Sequence, residues 1–238
     1  AENVTVVESG TTAWNGGWSV VNGVVTIGSR VTVSGEVHLI LADNASLTVN
    51  DGINVAEGNS FSVYAQSVGE NMGTLTATGK SSAAGIGGGY LASGGTITIH
   101  GGNVTANGGY SAAGIGSGKD SRSGGTITIH GGTVKATGGI LAAGIGGGNS
   151  SSRGTITIHG GTVETIGGGS AAGIGGGYSG SGDTITIHGG SVTATGGAYA
   201  AGIGGGRKGS GGTITIHGGS VTATGVDSAA GIGGGEDA

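Results

Sequence analysis

The chain has 238 residues, 64 of them glycine, with neither proline nor cysteine. Glycine is at roughly four times ordinary usage, yet the missing proline and the missing strict Gly-X-Y period exclude a collagen triple helix, and the missing cysteine excludes a disulfide scaffold. Eight Lys+Arg against 13 Asp+Glu give a net charge of −5, which argues against a nucleic-acid partner, and no apolar run approaches the roughly 18 residues of a membrane span.

The opening Ala1-Glu2-Asn3 reads as a mature N-terminus left after cleavage or as a chosen chain boundary. The next stretch alternates short β-prone runs with turn residues. Val4–Val7, Trp18–Ile27, Val31–Val33, Val37–Leu41, Leu47–Val49, Ile53–Val55 and Phe61–Tyr64 are the runs; Asn22-Gly23 and Asn50-Asp51-Gly52 are turns between them. These runs hold most of the large apolar side chains. Residues 1–73 are expected to form irregular coils plus a cap, with Trp14, Trp18 and Phe61 supplying its bulk.

From residue 74 onward the chain repeats. Thr-Ile-Thr-Ile-His-Gly-Gly starts at Thr96, Thr126, Thr155, Thr184 and Thr213, at offsets of 30, 29, 29 and 29. Ala-Ala-Gly-Ile-Gly starts at Ala83, Ala112, Ala142, Ala171, Ala200 and Ala229. A third run lies between them, such as Asn103-Val104-Thr105-Ala106-Asn107. The glycines thus punctuate regular Thr/Ile/Val runs, which excludes a flexible linker. Strict alternation of β-branched residues predicts strands, with Ile97, Ile99, Val104, Ala106, Ala113 and Ile115 inward. No apolar period of 3.6 residues signals a helix.

One such repeat cannot bury enough apolar surface to offset the entropy of ordering its backbone, so repeats must share a core. Identical residues at one position stack on themselves at ~4.8 Å in parallel sheets. The expected fold is therefore all-β: a right-handed parallel β-helix with three strand faces per coil of 29–30 residues. It has roughly eight to ten coils, and residues 74–238 form its regular part in one continuous domain with residues 1–73. Lys135 and Glu164 share a repeat position, so stacking sets opposite charges side by side. The chain stops mid-repeat at Gly235-Glu236-Asp237-Ala238, and the natural chain is expected to continue.

Ala142 to Gly148, the Ser/Gly loop after it, and Gly154-Thr-Ile-Thr-Ile-His-Gly-Gly-Thr-Val resemble a glycine-rich repeat of large secreted bacterial surface proteins. Glu36 to Asp43 with Leu47-Thr48-Val49 is similar to the segment leading into it, so the resemblance covers essentially the whole chain. Related β-helical modules are described as carbohydrate-binding domains, some akin in fold to polysaccharide lyases. The resemblance implies an extracellular β-helix with a glycan-binding role. Those repeats often carry another polar residue before the Gly-Gly, where this chain has histidine.

Four features carry chemistry. His100, His130, His159, His188 and His217 form a column, read as a turn-position ladder ending each strand; sharing of a transition metal is the less favoured reading. Five imidazoles so close are expected to titrate below their ordinary value. Thr96, Thr98, Thr126, Thr128, Thr155, Thr157, Thr184, Thr186, Thr213 and Thr215 form two outward columns, ~4.8 Å apart along the axis and ~6.7 Å across it. That uncharged grid resembles the face of ice-binding β-solenoids. Trp14, Trp18, Tyr90 and Tyr178 are the candidate rings for stacking on sugars, although Trp14 and Trp18 also suit cap packing. Finally, Asp120, Glu164, Asp183, Asp227, Glu236 and Asp237 are scattered over different repeat positions. They form no in-register pair for lyase chemistry, and Gly85-Ile86-Gly87-Gly88-Gly89 opens no helix, so it is no nucleotide fingerprint.

The expected function is a non-catalytic, secreted or cell-surface module for adhesion, touching polysaccharide or host glycans. It needs no cofactor and no metal. Ice binding through the threonine face is the alternative.

Overall fold

The computed structural model describes residues 4–151, 154–180 and 182–237. Every regular element in it is a strand, so it has no helix long and apolar enough to cross a membrane. Between coils the strands pair in parallel and in register, Ile97 beside Ile127, Ile127 beside Ile156, Ile156 beside Ile185. The chain is a parallel β-helix.

The first face is built from the Thr-Ile-Thr-Ile runs, Thr96–Ile99 to Thr213–Ile216, and continues toward the N-terminus through Ser60–Ala65. The second face holds eight strands, from Val24–Ile27 through Asn103–Asn107 to Ser220–Val226. The third face consists mostly of two-residue strands such as Ile115–Gly116. It joins the first face in a single folded sheet because one long strand, Val31–Leu41, serves both. Val31 pairs with Ile53 on the third face, while Val37 pairs with Phe61 on the first. The bend falls at Gly35, whose φ of 76° places it in the left-handed region that glycine enters without steric cost.

Alternation explains the core. In Thr96–Ile99 the pattern is exposed, buried, half-buried, buried, as a pleated strand with one dry side requires. Ile97, Ile99, Val104 and Ile115 are at most 1% exposed, and so are their equivalents through Ile203. The last coil departs from this expectation: Ile216 is 41% and Ile232 47% exposed, because no coil stacks above them among the described residues. Lys135 and Glu164 are strand partners with Nζ 3.1 Å from a carboxylate oxygen.

The third face differs from a plain strand face. Ala112 through Gly118 are buried on both sides. Each such segment closes on itself, Ala113 N–H donating to the Ser117 carbonyl at 3.0 Å and Ala143 N–H to that of Gly147 at 3.0 Å. A seam then roofs it: Lys119 N–H donates to the Ser82 carbonyl at 3.1 Å and Asn149 N–H to that of Ser111 at 3.0 Å. Glycine is obligatory beneath this roof. Gly175 has φ 127°, and a Cβ there would collide with the Gly204 carbonyl of the next coil.

Arg30 fixes the turn into the third face. Its guanidinium donates to the carbonyls of Asp51 at 3.0 Å in one coil and of Ala84 at 3.1 Å and Gly87 at 3.0 Å in the next. Burial lowers its pKa to about 10, and Asp51 partly offsets that.

At the N-terminal end the two tryptophans take opposite roles. Trp14 is 3% exposed and stacks on Phe61 at 5.6 Å inside the barrel. Its ring is consumed by the core, so it offers no surface for a sugar. Trp18 lies outside the first face, with its ring 4.5 Å from that of His38, and is not part of the cap.

Candidate functional surfaces

The first face presents three outward columns rather than two. The pleat sends Thr96, Thr98 and His100 to the same side, and the backbone ladder runs on through the histidines: His130 N–H donates to Ile99 at 2.8 Å, His159 to Ile129 at 2.7 Å and His188 to Ile158 at 2.7 Å. The histidines therefore extend the sheet instead of turning the corner. Thr96, Thr126, Thr155, Thr184 and Thr213 are exposed. The inner column of Thr98, Thr128, Thr157 and Thr186 is half-buried between its neighbours, and Thr215 in the last coil is exposed.

The imidazoles stack. Ring centroids of His100, His130, His159, His188 and His217 lie 4.8–4.9 Å apart with planes within 9° of parallel. Tyr64 covers His100 at 4.4 Å, and beyond it lie His38 at 6.0 Å and Trp18 at 5.2 Å. Six rings thus follow one edge of the face, and His38 and Trp18 flank the end of that row from the neighbouring Thr98 column. Nitrogen lone pairs lie in the ring planes, and parallel planes direct them side by side. Two neighbouring rungs cannot both place a nitrogen ~2.0 Å from one zinc ion. This geometry counts against metal sharing, and among the described residues no group of three His, Asp or Glu side chains converges as a metal site. His100 is held below its ordinary pKa, first by desolvation and then by the neighbouring His130 and His38.

The seam over the third face carries a second surface. Tyr90, Lys119, Asn149, Tyr178, Arg207 and Glu236 form a single column there, the N–H of the residue after each donating to the carbonyl of the next rung, as from Leu91 to Lys119 at 3.0 Å. Tyr90 and Tyr178 are in this column as the repeat predicts, with Lys119 and Asn149 between them. Cations partly occupy their ring faces: Lys119 Nζ is 5.6 Å from the Tyr90 centroid and Lys208 Nζ 5.9 Å from that of Tyr178. Arg207 lies 4.7 Å from the Tyr199 ring and pairs with Glu236 and Asp237 at 3.3 and 3.5 Å. Where the irregular coils meet the first regular one, an open cleft of about 470 Å³ brings Glu57, Asp120 and Arg122 around Leu91. Its walls come from three coils, and no motif in the sequence marks it.

Asp183 was legible only as a scattered acid. It occupies a column that is glycine in the neighbouring coils, Gly125, Gly154 and Gly212, and it is 1% exposed. Gly154 N–H donates to its Oδ1 at 2.6 Å, while Oδ2 has no partner among the described residues. Burial raises its pKa to about 7, against the smaller opposing effect of the Gly154 hydrogen bond. The remaining acids on the repeats are solvated or paired with cations, as Asp120 is with Lys119 at 3.0 Å.

A family model described as a beta helix repeat matches residues 71–90, 97–119, 127–149, 156–178, 185–207 and 214–236, more than half of the chain. The chain belongs to the beta helix repeat family. Each matched segment of this β-helix spans most of one first-face strand, its outward histidine and the third-face loop, apart from the opening segment, which precedes Thr96. No curated protein and no solved structure matches the chain.

Proposed function

We propose that this β-helix is a non-catalytic, extracellular bacterial surface module that adheres to repetitive polymers, glycans foremost. The observation that carries the reading is the first face. Three uniform outward columns run in register over five coils, on a backbone held rigid by parallel ladders. A ligand that repeats along its own length meets the same hydroxyls and imidazoles at every step, and a surface already ordered loses little entropy on binding it. The resemblance to glycine-rich modules of secreted surface proteins supports the same assignment. A non-catalytic role is supported by the repeat acids: Asp120 and Glu164 are each paired with a lysine, Glu236 and Asp237 share Arg207, and Asp183 is out of reach of solvent. Trp18 and the tyrosines of the seam are the rings left to contact sugars. A glycan array spanning neutral and acidic polysaccharides is the test: retention on at least one class is expected, and retention on none would refute glycan adhesion.

A second reading is ice binding. It is favoured by the registered Thr96 and Thr98 columns, whose repeat of ~4.8 Å by ~6.7 Å is that of a planar lattice free of charge. Shaped ice crystals and thermal hysteresis, abolished by Thr157→Tyr in the middle of the grid, would promote it over adhesion. Unshaped crystals and no hysteresis from the unmodified protein would remove it.

A further inference from the structure

We propose that the ladder of His100, His130, His159, His188 and His217 is an acid-gated docking rail for linear acidic polysaccharides, polymers bearing a carboxylate or sulfate on successive sugars. The inference rests on the first face being a polymer-binding surface, and it adds the ligand's charge and the condition under which the ligand is held.

Geometry comes first. Five exposed rings stand on one line at 4.8–4.9 Å. Imidazole is the side chain whose charge ordinarily changes between pH 5 and 8, so this line converts from an uncharged edge into a row of cations as pH falls. The surroundings do not neutralise it. Beside the ladder on its own face stand only threonines, and past it each coil turns at a Gly-Gly pair. The next outward positions of the second face are Asn103, Thr133, Thr162, Ser191 and Ser220, uncharged in every coil. Lys135 and Glu164 beyond them pair with each other at 3.1 Å.

The other titratable groups near the ladder stand at one end. Tyr64 covers the first rung, His38 lies beyond it 3.4 Å from Glu36, and Glu70 is on the segment following the Tyr64 strand. At the far edge of the face, Asp183 is turned inward and buried. Among the described residues, no carboxylate flanks the rungs from His130 to His217. Protonated rungs this close repel one another, and a chain of anions laid along them is the counter-charge the protein does not supply.

Stacking also selects the ligand. From His100 to His188 each ring's faces are covered by its neighbours, so along the ladder ring edges, carrying the N–H donors, meet a ligand. Edges suit carboxylate or sulfate oxygens. They do not suit nucleobases, whose binding to single strands draws on open aromatic faces.

Binding of the intact protein to polygalacturonate, with dextran as the neutral control, is to be measured at about pH 5 and about pH 7.5, on either side of the ordinary imidazole pKa. The expected result is affinity for polygalacturonate at least ~10-fold higher at the lower pH, with no such gain for dextran. The variant His130→Asn/His159→Asn/His188→Asn should lose the gain, and Lys135→Ser should keep it. In the unmodified protein, NMR titration midpoints of the ladder imidazoles should rise when polygalacturonate is added, a readout that stands even where the triple variant does not fold. Equal affinity at both pH values, a gain that survives the triple substitution, unmoved midpoints, or tighter His-dependent binding of a single-stranded oligonucleotide would each overturn the proposal. PH-independent binding of neutral glycans with no gain on polygalacturonate would sink the rail and leave the adhesion reading intact; silence toward every glycan would sink both.

Discussion

At the scale of single residues, Asp183 and His100 pull the pH dependence of stability in opposite directions. Asp183 has its folded pKa raised to about 7 from 3.8. Unfolded chains therefore release this proton first, and the native state loses stability as pH rises from about 4 through about 7. The effect above neutrality is on the order of 4 kcal/mol. In Asp183→Asn that loss is expected to vanish, so by calorimetry the variant should melt above the parent at pH 8 and approach it at pH 4.5; parallel melting curves at both values would refute the assignment. His100, whose folded pKa is lowered, contributes stability that is present above its unfolded value of about 6.5 and lost as pH falls through the folded one. His100→Asn should accordingly flatten the acid side of the profile. A histidine column was readable from the spacing alone. That it faces outward as a third column was not, because the turn was assumed to begin at the histidine, whereas the ladder of hydrogen bonds extends one residue further. Asp183 was equally opaque, since only packing distinguishes a buried acid from a solvated one.

At the scale of elements, the third-face loops are the most constrained segments. Gly175→Ala adds a Cβ against the Gly204 carbonyl at φ 127°. Both effects are unfavourable, and a loss of about 2–4 kcal/mol is expected. Gly169→Ala meets nothing nearer than 3.5 Å and should cost less than about 0.5 kcal/mol. Chemical denaturation of the pair checks the contrast. Arg30→Lys replaces a planar fork with a single ammonium. With its carbonyl acceptors drawn from Asp51, Ala84 and Gly87, the expected loss is about 2 kcal/mol. Alternation made the first two faces legible from the sequence. The closed third-face loop escaped because its hydrogen bonds join Ala113 to Ser117 and Lys119 to Ser82. Those pairings belong to turns and coil contacts, and apolar periodicity says nothing of them.

For the whole molecule, the period predicted parallel stacking because one repeat cannot bury enough alone, and the coils do stack that way. Spacing between registered residues is 20 from Trp18 to His38, 24 to Ser62, 36 to Thr98, and settles at 29 from Thr128 onward. The merging of two faces through Val31–Leu41 was not legible, because the sequence does not say which of its glycines bends a strand and which ends it. A modular solenoid should tolerate excision of a whole turn. Removing residues 184–212 joins Asp183 to Thr213, which already follow one another across the ladder with a Thr213 N–H···O contact of 3.1 Å. The shortened chain should keep its β circular dichroism and a cooperative melt, whereas removing half that length should not, since every inward side chain beyond the junction would change face.

The uneven distribution of bulk along the barrel gives assembly a direction. Trp14, Phe61, Leu39, Leu41 and Leu47 are concentrated in the early coils, while later ones contribute isoleucine, valine and alanine. The early coils can condense around their own contents; each later one needs an edge already in place. Folding then resembles templated polymerisation, seeded near Phe61 and extended one rung at a time. Hydrogen exchange should show that order, slowest around Val37–Leu41 and faster in the isoleucine, valine and alanine coils that follow. Phe61→Ala should slow refolding, and Ile187→Val should mainly hasten unfolding.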